Sequence, residues 1–144
     1  MSISRFLLAQ EHRYEAALSE IKEGQKRTHW VWFIFPQIEG LGQSAISNEY
    51  AIKDINEARE YLNEPVLKNR LIEISKALIE LPEYDPRKVM GYPDDLKLCS
   101  SMTLFHYADP EEPVFRLVLD KYFDGKLDGK TIKILESQEK ERMR

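Results

Sequence analysis

Two short stretches concentrate the residues able to do chemistry. The first, Thr28 to Gln37 (THWVWFIFPQ), holds both tryptophans of the chain, with His29 near one end and Gln37 at the other. An imidazole with an unperturbed pKa near ~6.5 is a ready acid or base at neutral pH. An indole face can stack on a ring or a cation. The turn Gly40 to Ser44 (GLGQS) follows at once, and a glycine turn feeding a helix, here through Gly42, offers backbone N–H groups to an anion. The second stretch is Tyr92 to His106 (YPDDLKLCSSMTLFH). On a helix that begins at Asp94, Lys97 lies three residues on and Ser101 four beyond that, so a carboxylate, an ammonium and a hydroxyl share one face. Asp95 has Leu98 and Cys99 at the corresponding positions, which leaves its carboxylate without an ionic partner in the helix.

Both stretches also have a plain structural account. Aromatic density usually marks core, because each ring buries ~150–250 Å². Asp94 and Asp95 suit the positive end of a helix, and serines can bond back to helix carbonyls.

Other arrangements fail on spacing. Gly129-Lys130-Thr131 resembles the end of a phosphate-binding loop, but only three residues separate Gly125 from Gly129 where four are required. His12, His29 and His106 are far apart and no Cys-x-x-Cys pair exists, so neither a metal site nor a cofactor is expected. Cys99 and His106, on one helix, stand roughly 10 Å apart along the axis, too far for a nucleophile and its base. A lone buried cysteine acting as a small apolar group is the better reading of Cys99.

The elements that must position these residues are helical. Tyr14, Ala17, Leu18 and Ile21 fall on one helical face before Gly24, after a short turn carrying Phe6 and Leu7. Thr28 can cap a short helix. Asp54 and Glu57 have capping-box spacing before a helix from about 55 to 62. Pro65 opens the strongest pattern, Leu67, Leu71, Ile74, Leu78 and Leu81, which reads as the central helix. Asp85-Pro86 and Asp109-Pro110 start two more, the latter with Glu112 in the capping-box position, and the helix of the second stretch lies between them. The segment KTIKIL is compatible with helix or strand. The expectation is an all-α fold: a single compact multi-helical domain of about seven or eight helices over residues 1–137, with a charged C-terminal tail over 138–144.

Composition bounds the function classes. The 144 residues suit one domain, with 42% hydrophobic and 32% charged residues, near globular averages. A net charge of −4 and a pI near 5.5 argue against nucleic-acid binding. No apolar run approaches the ~18–20 residues of a membrane span, and the opening run Phe6 to Ala9 is too short for a secretory leader. One cysteine fits a reducing compartment, so a cytoplasmic location is expected, with no membrane partner.

The segments HWVWFIFPQ, GLGQS, PDDLKLCSSMTLF and EPVF followed by VLDKYFDG, with the opening RFLLAQ and YEAALSEI, resemble in order the bacterial family known as domain of unknown function 1810. The resemblance covers nearly the whole chain. It implies a compact, mainly helical domain and brings no catalytic residues. His29, Trp30, Trp32, Gln37, Asp94, Asp95, Lys97, Ser100 and Ser101 match its motif, whereas Cys99 stands where relatives usually carry a basic residue and His106 lies at a variable place.

The functional expectation is a pocket where the two stretches converge on a small anionic ligand, a nucleotide or phosphorylated metabolite. Trp30, Trp32, Gln37, Gly42, Lys97, Ser100 and Ser101 would bind it. Were there turnover, His29 would be the acid or base, with Asp94 or Asp95 orienting it or acting as base. The alternative is an interaction or oligomerisation module with the aromatic segment, Phe35 included, as contact surface. The protein is expected to be a monomer or a small homo-oligomer.

Overall fold

The computed structural model describes residues 2–42 and 44–143. Ten helices form among the described residues rather than seven or eight: α1 (Ser4–Glu11), α2 (Tyr14–Lys22), α3 (Val31–Ile34), α4 (Ala45–Glu49), α5 (Ile55–Asn63), α6 (Pro65–Glu80), α7 (Pro86–Met90), α8 (Asp94–Ala108), α9 (Pro113–Phe123) and α10 (Gly129–Arg142). The additions are α1, where only a turn around Phe6 was expected, and α4, which buries no residue.

Local chemistry sets most of the boundaries. Asp54 accepts the Glu57 N–H at 2.9 Å, while the Glu57 carboxylate takes the Lys53 N–H at 2.8 Å. Three helices begin with an acidic cap followed by proline, whose missing N–H leaves no donor unpaired there. Glu64 caps Leu67 N–H at 3.0 Å, Asp85 caps Arg87 N–H at 2.9 Å and Glu112 caps Val114 N–H at 3.1 Å. The start of α9 therefore differs from the expected Asp109-Pro110 pair: Asp109 closes α8, and the second acid-proline pair, Glu112-Pro113, opens α9. The ambiguous KTIKIL segment is helix, capped by Asp128 on Thr131 N–H at 3.1 Å. Helix α10 continues to Arg142, so residues 138–142 extend it.

The centre belongs to α8 rather than α6. Helix α8 packs against α9, α7, α5, α10 and α3, and every residue from Ser100 to Phe105 is buried. A helix buried through its middle turns shows no single apolar stripe, so periodicity cannot rank it above the amphipathic α6. Helix α6 comes next, packed on α9, α2, α5 and α1.

Between α3 and α5 the chain makes an excursion that carries α4. Its base is clipped by one parallel bridge, Ile38 to Ile52, in which Ile52 N–H donates to Gln37 O at 2.8 Å and Glu39 N–H to Ile52 O at 2.8 Å. No helix among the described residues is long and apolar enough to cross a membrane.

Candidate ligand cleft

The two stretches meet directly, Lys97 over Trp32, and also through Lys26, a residue outside both. Lys26 follows the Gly24 turn, where its N–H donates to Val89 O at 2.7 Å. Its ammonium lies 2.8 Å from Asp94 Oδ2 with only 6% of the side chain exposed. That ammonium also donates to Thr28 O at 2.6 Å and sits 5.1 Å from the centre of the Trp30 ring. Lys97 approaches Asp94 Oδ1 at 3.4 Å and stands 5.1 Å over the Trp32 ring. The order in space is Trp30, Lys26, Asp94, Lys97, Trp32: one carboxylate shared by two ammonium groups, each covering an indole. Sequence reasoning missed Lys26, because no helical spacing links it to Asp94 and only the fold of the loop brings it there.

Trp30 belongs to the core. It is fully buried, and its indole N–H donates to Glu20 Oε1 at 3.0 Å. The same carboxylate accepts the N–H groups of Arg27 at 2.6 Å and Thr28 at 2.9 Å, and the Thr28 hydroxyl at 2.6 Å. Thr28 thus ties the loop to α2 instead of capping α3, whose start at Val31 has no side-chain cap. Burial works to raise the Glu20 pKa, but the donors from Thr28, Arg27 and Trp30 outweigh it and hold the carboxyl at about 2. Phe35 is fully buried as well. The aromatic segment is therefore not an exposed contact surface, and of its two tryptophans only Trp32 reaches the outside.

The polar residues of α8 divide in the same way. Ser101 is fully buried, with its hydroxyl unpartnered among the described residues, so it cannot share an open face with Asp94 and Lys97. Ser100 Oγ lies 3.1 Å from Leu96 O and 3.2 Å from Asp128 Oδ2, joining α8 to the start of α10. Asp95 finds its cation across the gap to α7, with Arg87 Nε 3.9 Å from Oδ2. Its Oδ1 is buried with no hydrogen-bond partner among the described residues. His29 projects outward on the loop, where its backbone carbonyl faces Arg13 at 3.4 Å. Among the described residues no hydrogen bond or ion pair joins His29 to Asp94 or Asp95. The three side chains do not form a connected acid–base set.

A cleft of about 340 Å³ opens between the Gln37–Gly42 turn, the outer face of α8 and the α9–α10 junction. Leu41, Pro93, Leu96 and Phe123 supply apolar walls, and Gln37, Lys97, Ser100, Asp128 and Lys130 the polar ones; Gly42 and Cys99 complete it. Four residues singled out in the sequence, Gln37, Gly42, Lys97 and Ser100, line this one space. Trp30, Ser101 and His29 do not. Trp32 instead walls a narrower recess on the other side of Gln37, with Gly40, Gly42, Ser47 and Tyr50. Gly40 holds a φ of +106°, which an L side chain rarely adopts. A Cβ on Gly42 would come within 2.5 Å of Ser47 Cβ, so the turn can approach α4 only with glycine there.

Leu41, Phe123 and Asp128 are not anticipated as cleft residues, since they are local neighbours of helix ends and carry no signal of their own, and Lys130 is set aside with the glycine spacing that rules out a phosphate-binding loop. The Cys99 thiol is pushed up to about 11, by burial first and by the Asp128 carboxylate second. It is a neutral thiol at neutral pH and lacks the thiolate a nucleophile needs. Across the fold, burial and then Arg116 lower the pKa of His106. Among the described residues no three His, Cys, Asp or Glu side chains gather as a metal-binding group would require.

The chain is similar over nearly its whole length to the crystal structure of the conserved hypothetical protein Rv1873 from Mycobacterium tuberculosis. The two share 40% sequence identity and a TM-score of 0.91, over 93% of this chain and 96% of that one. No curated protein matches the chain. A family profile described as "Protein of unknown function (DUF1810)" matches residues 1–135, and with this fold and these motifs in place the chain belongs to that family.

Proposed function

We propose that the protein binds a small anion with an apolar body, such as a nucleotide or phosphorylated metabolite, in the cleft between the Gln37–Gly42 turn and α8. The observation that carries this reading is the pairing of two ammonium groups, Lys97 and Lys130, with the apolar walls Leu41, Leu96 and Phe123 in one space of about 340 Å³. Small-molecule sites combine mostly apolar linings with a few placed polar groups, at volumes of roughly 300–1,000 Å³. Gln37 adds an amide able to donate or accept, and Asp128, committed to capping α10, would repel a ligand with negative charge on that side.

Calorimetric titration with phenyl phosphate, inorganic phosphate and phenol tests it. Phenyl phosphate is expected to bind most tightly, since it alone presents both halves, and Lys97→Met is expected to weaken it at least tenfold. Equal affinity for all three probes, or an unchanged Lys97→Met variant, would overturn the reading.

A second reading takes the same apolar walls as a contact surface for a second copy or another protein. Its support is Leu96, which stands on the outer face of α8 with 52% of its surface exposed. Sedimentation over a wide concentration range decides it: a mass that rises with concentration and stops rising in Leu96→Ser supports association, and a constant monomer mass refutes self-association.

A further inference from the structure

Lys97 is the cleft's best-placed cation, yet it is already engaged. The two oxygens of Asp94 are divided between two lysines: Oδ2 lies 2.8 Å from Lys26, and Oδ1 lies 3.4 Å from Lys97. The Lys26 contact is the shorter and the more enclosed, with 6% of its side chain exposed against 24% for Lys97. Asp94 is also the first residue of α8, where the aligned peptide dipoles favour a negative charge. If Lys97 leaves, Asp94 keeps both Lys26 and the helix terminus, so its charge is not stranded. Lys97 lines the cleft, while neither Asp94 nor Lys26 does.

On these grounds we infer that Asp94 is an internal competitor for Lys97: its carboxylate occupies the ammonium in the free protein and yields it to the anionic group of the ligand. This rests on the proposed cleft being the binding site. It assigns Asp94 a regulatory part in affinity in place of the acid–base part its sequence position suggested, and makes Lys26 the residue that keeps the exchange inexpensive. The competing account is that Asp94 merely positions Lys97, and the two differ in sign.

Phenyl phosphate affinity is measured by calorimetry on the wild type and on Asp94→Asn, Lys97→Met, their double variant, and Lys26→Met alone and in the Lys97→Met background, with melting curves to verify folding. Competition predicts that Asp94→Asn binds about two- to fivefold more tightly, the range set by a partly exposed ion pair, while phenol affinity stays unchanged. The gain should vanish in the Lys97→Met background, as a direct coupling requires. Lys26→Met, which leaves Lys97 as the sole lysine partner of Asp94, should bind more weakly by a factor that vanishes in the Lys97→Met background, and this coupling decides the question if Asp94→Asn does not fold: a loss that persists there is the bare loss of a cation and overturns the competition. Unchanged or weaker binding by Asp94→Asn, or a gain that survives Lys97→Met, overturns the competition while leaving the cleft intact. Binding indifferent to Lys97→Met, or absent in both the wild type and Asp94→Asn, overturns the cleft reading and the competition together.

Discussion

Trp30 and Trp32 are two residues apart, and each lies 5.1 Å below a lysine ammonium that reaches the same aspartate. They nonetheless belong to different worlds. Trp30 is fully buried with its N–H on the Glu20 carboxylate; Trp32 is half-buried, makes no indole hydrogen bond among the described residues, and walls a recess beside the cleft. What separates them is the hydrogen-bond partner for the polar edge. A buried indole N–H without an acceptor costs free energy, and Glu20 removes that cost on one side only. A core and a surface can thus be specified within three residues by one carboxylate from another helix.

The difference can be broken from the Trp30 side with the largest effect. Trp30→Ala should cost about 4 kcal/mol of stability, as for a large aromatic lost from a packed core, measured by urea unfolding; a loss near that of Trp32→Ala would mean that the two sites are energetically alike. Glu20→Gln comes next, at about 2 kcal/mol, because a neutral amide oxygen accepts the three N–H groups on Oε1 more weakly than a carboxylate does, and its NH₂ makes the Thr28 hydroxyl turn from donor to acceptor. Its pH dependence sharpens the point. The Glu20 carboxyl, held at about 2 against its ordinary 4.5, contributes stability that is complete above pH 4.5 and is lost as pH falls toward 2. The unfolding midpoints of wild type and Glu20→Gln should therefore converge across that window and stay apart above it. Trp32→Ala should cost only about 1–2 kcal/mol, for a side chain half in water, and should leave the blue-shifted emission of Trp30 as the sole tryptophan signal. Smallest of all, Lys97→Met should change stability by less than ~0.5 kcal/mol while weakening phenyl phosphate binding at least tenfold.

Much of the helical framework was legible. Caps and prolines are local, and Asp54, Pro65 and Asp85 marked real starts. Legibility failed where the deciding partner lies far along the chain. Helix α8 carries no amphipathic stripe because neighbours enclose its middle turns, Ser100 to Phe105, so the amphipathic α6 looks more central than it is. Helix α1 carries its apolar residues as one consecutive run, Phe6 to Ala9, with no helical spacing to mark it, yet Phe6 is fully buried and Arg5 pairs with Glu57 at 3.2 Å. The site divides along the same line. Gln37, Gly42, Lys97 and Ser100 came together in the cleft. Trp30 and Ser101, equally polar-edged or polar in type, went inward because burial of a single residue has no signature in spacing. Lys26 was invisible for the opposite reason: its role exists only after the Gly24 turn has folded back on Val89.

The bridge between Ile38 and Ile52 separates two kinds of design freedom. Two backbone hydrogen bonds define the base of the excursion, and its returning limb is tied to α1 and α3: Arg5 donates to Glu49 O at 2.9 Å and Ala51 O at 2.7 Å, and Tyr50 packs on Phe6 and Phe33. Extending such a span costs little, since closure entropy rises only with the logarithm of length, about 0.6 kcal/mol per doubling. The turn between Glu39 and α4, which gives Leu41 and Gly42 to the cleft, is therefore the place where cleft size can be retuned by insertion or deletion, in evolution or in the laboratory, with the helices outside the excursion left as they stand.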